Sequence, residues 1–286
     1  MITPFDFRLC TPEGPVARAV SSVWYARGSV PYRRERVAPT GSTVAVIVLG
    51  DPIIETAGGP RTVPLRADKG FLIGPHDRPV TNEPTGETFA VGIVTTPVGC
   101  RAALGLDPAP VAGRVVELTE AWAPAAGLRT ELMALAETTA PDPEAMLDLV
   151  VATVTAGLDL DVPGLDRCER AVAMLDEDPL RPIADIATAV GVSHGHLDRE
   201  FTRIVGLSPR RLARLLRVER LLQAIDIEAD VPWADLAAAH GWADQSHMIR
   251  DFRRHTGSSP SAYLGARRAY ETEPTDEAAR FVPEPM

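Results

Sequence analysis

Apolar positions change their period part-way along the chain. Between residues 40 and 96 they fall in short runs at 43–49, 53–56, 61–66, 70–73 and 88–95, each bounded by Gly or Pro. Short β-branched runs with such breaks predict a small antiparallel barrel or sandwich. Between 120 and 160 the spacing turns helical. Leu128, Leu132 and Leu135 share one face, and Met146, Leu149, Val150, Val154 and Leu158 share another, entered through Pro143. Residues 161–164 read as a linker, and from 165 to about Arg268 the pattern is helical throughout. The segment from Glu271 is acidic and contains Pro, so it is expected to be disordered. The expected fold class is α+β in two domains: a β-rich barrel or sandwich with following helices over 1–162, and an all-α domain over 165–268, with a tail at 269–286.

Within the helical half one pattern occurs twice. Ile183, Ile186, Ala187, Val190 and Gly191 recur as Trp233, Leu236, Ala237, His240 and Gly241. Ser193, Leu197, Arg199, Phe201, Gly206, Ser208 and Pro209 recur as Asp244, Met248, Arg250, Phe252, Gly257, Ser259 and Pro260. Each copy reads as an amphipathic helix, a glycine turn, a capping residue and a second amphipathic helix, which is the pattern of a helix-turn-helix. Ser208-Pro209 is expected to open a long joining helix with Leu212, Leu215, Leu216, Leu221 and Leu222 on its apolar face.

The face opposite the core of each second helix suits base edges and phosphates. It carries Gly195, Arg199, Thr202 and Arg203 in the first copy, flanked by His196 and Asp198. In the second it carries Ser246, Arg250, Arg253 and Arg254, flanked by His247, with Gln245 at the helix start. Arg can bond guanine in bidentate fashion, Gln can pair with adenine, and Ser or His can meet bases or phosphates. A net charge of −10 argues against DNA only as a global figure. Residues 165–268 carry fifteen basic and fifteen acidic side chains, and the acid excess lies on either side. Local basic clusters decide whether phosphates are attracted.

Residues 165–268 resemble the AraC/XylS-type DNA-binding domain. The resemblance rests on Ile186-Ala187 with Gly191-Val-Ser193, Leu197-Asp-Arg-Glu-Phe201, Gly206-Leu-Ser-Pro209 and Arg217-x-Glu-Arg-Leu221. It continues through Gly241-Trp-Ala-Asp-Gln-Ser246, Arg250-Asp-Phe252 and Gly257-Ser-Ser-Pro260. It implies two helix-turn-helix units joined by a long helix, both entering the major groove on one side of double-stranded DNA. The expected base contacts are Gly195, His196, Asp198, Arg199, Gln245, Ser246, His247 and Arg250. The expected phosphate contacts are Ser193, Arg203, Arg210, Arg211, Arg214, Arg253 and Arg254. Asp198 and Glu200 put acid on or near the first recognition helix, so the second is expected to read more sequence. The resemblance also implies RNA polymerase as a partner, together with a small-molecule effector, a homodimer, or both.

The N-terminal half is similar to the β-rich sensor domain that precedes this DNA-binding domain in many such regulators. That likeness rests on Asp51, Gly74-Pro75 and residues 114–118 before Trp122. Trp24, Tyr25, Phe71, Phe89 and Trp122 could line a ligand pocket, though core is the commoner use of aromatics at strand spacing. The charge run Arg27, Arg33, Arg34 and Arg36 reads as an exposed loop. His76 is the only histidine before residue 190, which argues against a His-rich metal site. No Gly-x-Ser-x-Gly, phosphate-binding glycine loop or HExxH occurs. No cofactor or metal is expected, and the chain is expected not to be an enzyme. The alternative is a bifunctional protein in which Cys100 is a nucleophile or alkyl acceptor, against the commoner reading of a buried thiol. Three widely spaced cysteines without a CxxC pair, no apolar run long enough to cross a bilayer and no signal pattern lead to a cytoplasmic expectation with no membrane partner.

Overall fold

The computed structural model describes residues 5–59, 62–137, 142–269 and 281–284. The N-terminal half folds as β1 (Asp6–Cys10), β2 (Val20–Gly28), β3 (Arg34–Val37), β4 (Val44–Val48), β5 (Ile53–Ala57), β6 (Leu65–Ala67), β7 (Gly70–Ile73), β8 (Val80–Pro84) and β9 (Thr88–Thr95). Then come α1 (Gly99–Leu104), β10 (Val115–Glu117), α2 (Leu118–Ala121), α3 (Ala125–Ala136) and α4 (Pro143–Ala156). Asp142 caps α4 by accepting from the Glu144 N–H at 3.0 Å. The C-terminal half is helical: α5 (Leu165–Glu177), α6 (Ile183–Ala189), α7 (His194–Val205), α8 (Pro209–Gln223), α9 (Trp233–Ala239), α10 (Gln245–Thr256) and α11 (Pro260–Ala269). A last strand, β11 (Phe281–Glu284), follows.

Two antiparallel sheets face each other, in the orders β1-β2-β9-β4-β7-β10 and β11-β3-β8-β5-β6. Strand alternation splits the first sheet into two working faces. Tyr25, Ile47, Leu72, Val91 and Ile93 pack with Leu118, Leu128, Leu132 and Met146 of the helical layer. Val46, Val48, Phe71, Ile73 and Ala90 instead meet Ile53, Ala67 and Val80 of the second sheet. The aromatics that could have lined one pocket are therefore divided. Tyr25, Phe89 and Trp122 belong to the helix-facing core, while Phe71 and the half-buried Trp24 belong to the layer between the sheets.

Several segments depart from the sequence expectation: β1, β8 and β10 lie outside the expected strand runs, and within the run expected at 61–66 the strand begins only at Leu65. β2 precedes residue 40 and lies between β1 and β9, and with Ser21, Ser22 and Arg27 among its apolar residues it shows no clean alternation in sequence. The expected arginine loop is only partly a loop: Arg33 lies in an exposed bend, while Arg27 belongs to β2 and Arg34 and Arg36 to β3, with Glu35 buried between them. Residues 281–284, expected within a disordered tail, pair with β3 as an edge strand that buries Val282. The rest of that tail, 270–280 and 285–286, lies outside the described residues.

The expected linker is a packed joint. Val162 and Leu165 are buried, and the core under the first sheet runs on without a break into Cys168, Leu175, Ile186, Leu197, Phe201 and Leu212. A second, separate core holds α9, α10 and α11 to the end of α8. There Phe252 meets Trp233 and Tyr263 edge-on, with centroids 6.0 and 5.4 Å apart.

Candidate nucleic-acid interface

Each copy of the repeat forms the predicted unit, α6–α7 and α9–α10. Gly191 and Gly241 take φ of 77° and 79° in the turns, a conformation that costs a side-chain-bearing residue about 1 kcal/mol or more. Ser193 Oγ accepts from the His196 N–H at 3.3 Å, and Asp244 Oδ1 accepts from the His247 N–H at 2.7 Å, so both predicted caps form. Ser208 stands at the N-cap of α8 without such a bond. Leu197, Phe201 and Ile204 in α7, and Met248 and Phe252 in α10, are fully buried. That fixes the rotation of both helices and turns the polar faces outward.

On α7, Gly195, His196 and Arg199 are exposed and Asp198 is partly so. A methyl group at Gly195 would sit 3.7 Å from Arg199 Nη1, an ordinary van der Waals contact, so the Arg199 guanidinium lies back toward the helix N-terminus beside Gly195. Asp198 lies 3.6 Å from His194, and Glu200 turns away from the polar face to pair with Arg167 at 2.8 Å. The acid expected to weaken this helix is thus partly neutralised from α5. On α10, Gln245, Ser246, His247, Arg250 and Arg253 are all exposed. Arg199, Arg250 and Arg253 make no ion pair among the described residues.

The remaining predicted phosphate contacts divide. Ser193 is occupied as a cap, and Arg203 donates to the Pro163 carbonyl at 2.5 Å, holding the joint. Arg210 and Arg214 line a cleft of about 620 Å³ between the starts of the two recognition helices, with Arg181, Arg217, His194, His247 and Asp251. Arg217 stacks its guanidinium 3.9 Å above the Trp242 ring and donates from Nε to the His240 carbonyl at 2.8 Å. Its Nη2 is buried with no hydrogen-bond partner. Burial pulls the Arg217 pKa below its usual value and Asp251 opposes the shift. Such a cleft presents cations where backbone phosphates between two major-groove windows would lie. Arg181 and Arg217 are not among the phosphate contacts expected from the sequence, because their place in this cleft depends on how α6 and α8 pack.

Arg211 and Arg254 face the other way. Asp77, in the loop before β8, takes Arg254 Nη2 at 2.7 Å and Arg211 Nε at 3.3 Å. Burial pushes the Asp77 carboxyl up, but Arg254 and Arg211 outweigh it and hold the pKa below its usual value. Beside it, Arg36 Nη1 donates to the Gly257 carbonyl at the end of α10 at 3.1 Å. At the end of α7, Gly206 sits so close to Pro75 and Pro108 that a methyl group there would meet their carbons at 3.0–3.1 Å. The N-terminal half therefore grips the C-terminal ends of both recognition helices and leaves their N-terminal ends open.

Cys100 is 1% exposed, and burial pushes its thiol up to about 11, which disfavours a nucleophilic thiolate. His76 is buried with Nδ1 2.9 Å from the Gly74 carbonyl oxygen. No helix among the described residues is long and apolar enough to cross a membrane.

Residues 167–266 match the helix-turn-helix domain family. This is an AraC-type DNA-binding domain. A family described as a domain of unknown function (DUF6597) matches residues 8–117. No curated protein matches the chain. Among solved structures, ToxT from Vibrio cholerae aligns over 91% of this chain and 98% of its own, at 12% identity and a TM-score of 0.48. A probable AraC family transcriptional regulator from Rhodopseudomonas palustris aligns over 35% of this chain and 95% of its own, at 24% identity and a TM-score of 0.31. An AraC-type regulator from Chromobacterium violaceum gives 39%, 100%, 24% and 0.33 for the same measures. With its AraC-type domain behind a two-sheet N-terminal half, the chain is a DNA-binding transcription regulator.

Proposed function

We propose that this regulator reads two successive major-groove windows on one side of the duplex, with α7 in one and α10 in the other. Gly195, His196, Asp198 and Arg199 face bases in the first window, and Gln245, Ser246, His247 and Arg250 face them in the second. Arg210, Arg214 and Arg253, together with Arg181 and Arg217, hold phosphates. The observation that carries this reading is the cleft between the two capped helix starts, lined by Arg181, Arg210, Arg214 and Arg217. Arg211 and Arg254 join the phosphate set only when they leave Asp77.

Residues 1–162 act as the sensing and dimerising part and 165–268 as the reader, and the continuous core between them favours transmission of small shifts over a free hinge. RNA polymerase is the protein partner, the chain works in the cytoplasm, and it catalyses no reaction of its own. Selection of bound sites from a random DNA pool tests the reading. It should return a motif with two informative blocks about one helical turn apart, the second block stronger. Recovery of no motif at moderate salt would contradict it.

A further inference from the structure

The face of the second sheet that looks toward the first carries Ile53, Ala57 and Val80, part of the apolar layer with Val46, Val48 and Phe71. On the same face Asn82 is the cross-strand partner of both Glu35 and Glu55, so three polar side chains stand in a row across β3, β8 and β5. Glu55 is 1% exposed and Glu35 9%. Asn82 donates to Glu55 Oε1 at 2.5 Å, and the Tyr32 hydroxyl donates to Glu35 Oε2 at 2.7 Å. Glu55 Oε2 has no hydrogen-bond partner. No Lys or Arg pairs with either carboxylate among the described residues. Burial pushes Glu35 up to about 7 and Glu55 well above its usual value.

Uncompensated buried carboxylates destabilise a fold, so two of them in one layer call for a role other than packing. The layer is closed on one side, where β10 packs on β6 and β5. At the other side the edge strand β1 leaves Phe7 and Leu9 exposed, next to Phe5. Trp24, the cross-strand partner of Leu9, spreads its indole over Gly92, where a methyl group would collide with the ring, and Phe7 stacks on Trp24 at 6.2 Å.

We propose that the inter-sheet layer binds a small organic cation, whose ammonium or guanidinium group is held by Glu35 and Glu55 with Asn82 between them. Two carboxylates supply the countercharge, and the free Glu55 oxygen supplies an acceptor. An organic cation fits better than a metal ion, because no group of three or more His, Cys, Asp or Glu side chains converges among the described residues.

The strands that carry these groups also carry the grip on the reader. Glu35 is followed by Arg36, which holds Gly257, and β8 follows the loop in which Asp77 holds Arg211 and Arg254. A cation drawing Glu35 and Glu55 toward itself would pull on β3 and β5, the two strands that flank β8 in the sheet. The inference rests on the reading of the N-terminal half as a sensor.

Thermal-shift and calorimetric titration of the full chain tests it, with agmatine, benzamidine and tetramethylammonium as probes and benzoate as the anionic counterpart of benzamidine. A bound cation at about 100 times its Kd should raise Tm by roughly 5–10 °C, and benzoate should not. The double variant Glu35→Gln, Glu55→Gln should lose the shift while keeping its circular dichroism. If the double variant fails to fold, Glu35→Gln alone should weaken the probe at least tenfold. No shift from any of the three cations at millimolar concentration would overturn the proposal, as would an equal shift from benzoate or an undiminished shift in the variants. DNA affinity measured in parallel separates the cases: specific DNA binding without cation binding sinks this inference alone.

Discussion

Replacing Asp77 with Asn removes a charge that holds an arginine of the joining helix α8 and another of the recognition helix α10. Its carboxylate is 9% exposed, while the Arg254 and Arg211 side chains are 30% and 50% exposed. The pairs therefore lie between a surface bridge and a buried one, and each is worth about 0.5–1 kcal/mol once solvent screening is counted. Asn keeps the shape and drops the charge. Both guanidiniums are then free to meet phosphates, so the roughly 1–2 kcal/mol that held them inward no longer opposes binding. That corresponds to about a 5- to 30-fold gain in DNA affinity at fixed salt. The slope of log K against log salt should also steepen by roughly 0.9 for each phosphate gained, about two in all. Fluorescence anisotropy of a labelled duplex across a salt series reads both quantities. An unchanged slope with unchanged affinity would show that Asp77 does not compete with DNA, and a loss of affinity would show that it positions the reader for DNA instead.

Arg250→Ala should cost about 1–3 kcal/mol on the selected site and relax preference at one base pair, measured by competition between single-base variants; equal loss on random DNA would make Arg250 a phosphate contact. Gly206→Ala should lower stability by about 1–2 kcal/mol, because φ is +77° and the new methyl would press on Pro75 and Pro108; an unchanged denaturation midpoint would contradict the described joint. Glu35, faced by Tyr32 and Glu55, has a folded-state pKa of about 7 against an ordinary 4.5. Its stabilising protonation is complete below the lower value and lost as pH rises through the higher one. Glu35→Gln should therefore raise Tm over the wild type more at about pH 8 than at about pH 5, and an equal difference at both would refute the assignment.

The reader was legible in the sequence because its determinants are local. A cap, a positive-φ glycine and an apolar stripe lie within a dozen residues of one another, and Ser193, Asp244, Gly191 and Gly241 all behave as that spacing dictates. The strands 43–49, 70–73 and 88–95 were legible for the same reason. What failed depended on distant partners. β3 looked like a charged loop because its inward residue is Glu35, and the polar row it belongs to is completed by Asn82 and Glu55 from other strands. β11 is a strand only because β3 offers an edge some 240 residues away in sequence. Arg254 and Arg211 look like any other arginines on a recognition or linking helix until Asp77 is brought to them, 177 residues from Arg254 in the chain.

The central claim is that two capped helices read adjacent windows of one duplex face. Methylation-protection footprinting on the selected site tests it most directly, since guanine N7 lies in the major groove. The account predicts two protected segments about 10 base pairs apart on the same face, with Arg250→Ala weakening only the segment under α10. A single protected segment, or protection on opposite faces of the duplex, would contradict it.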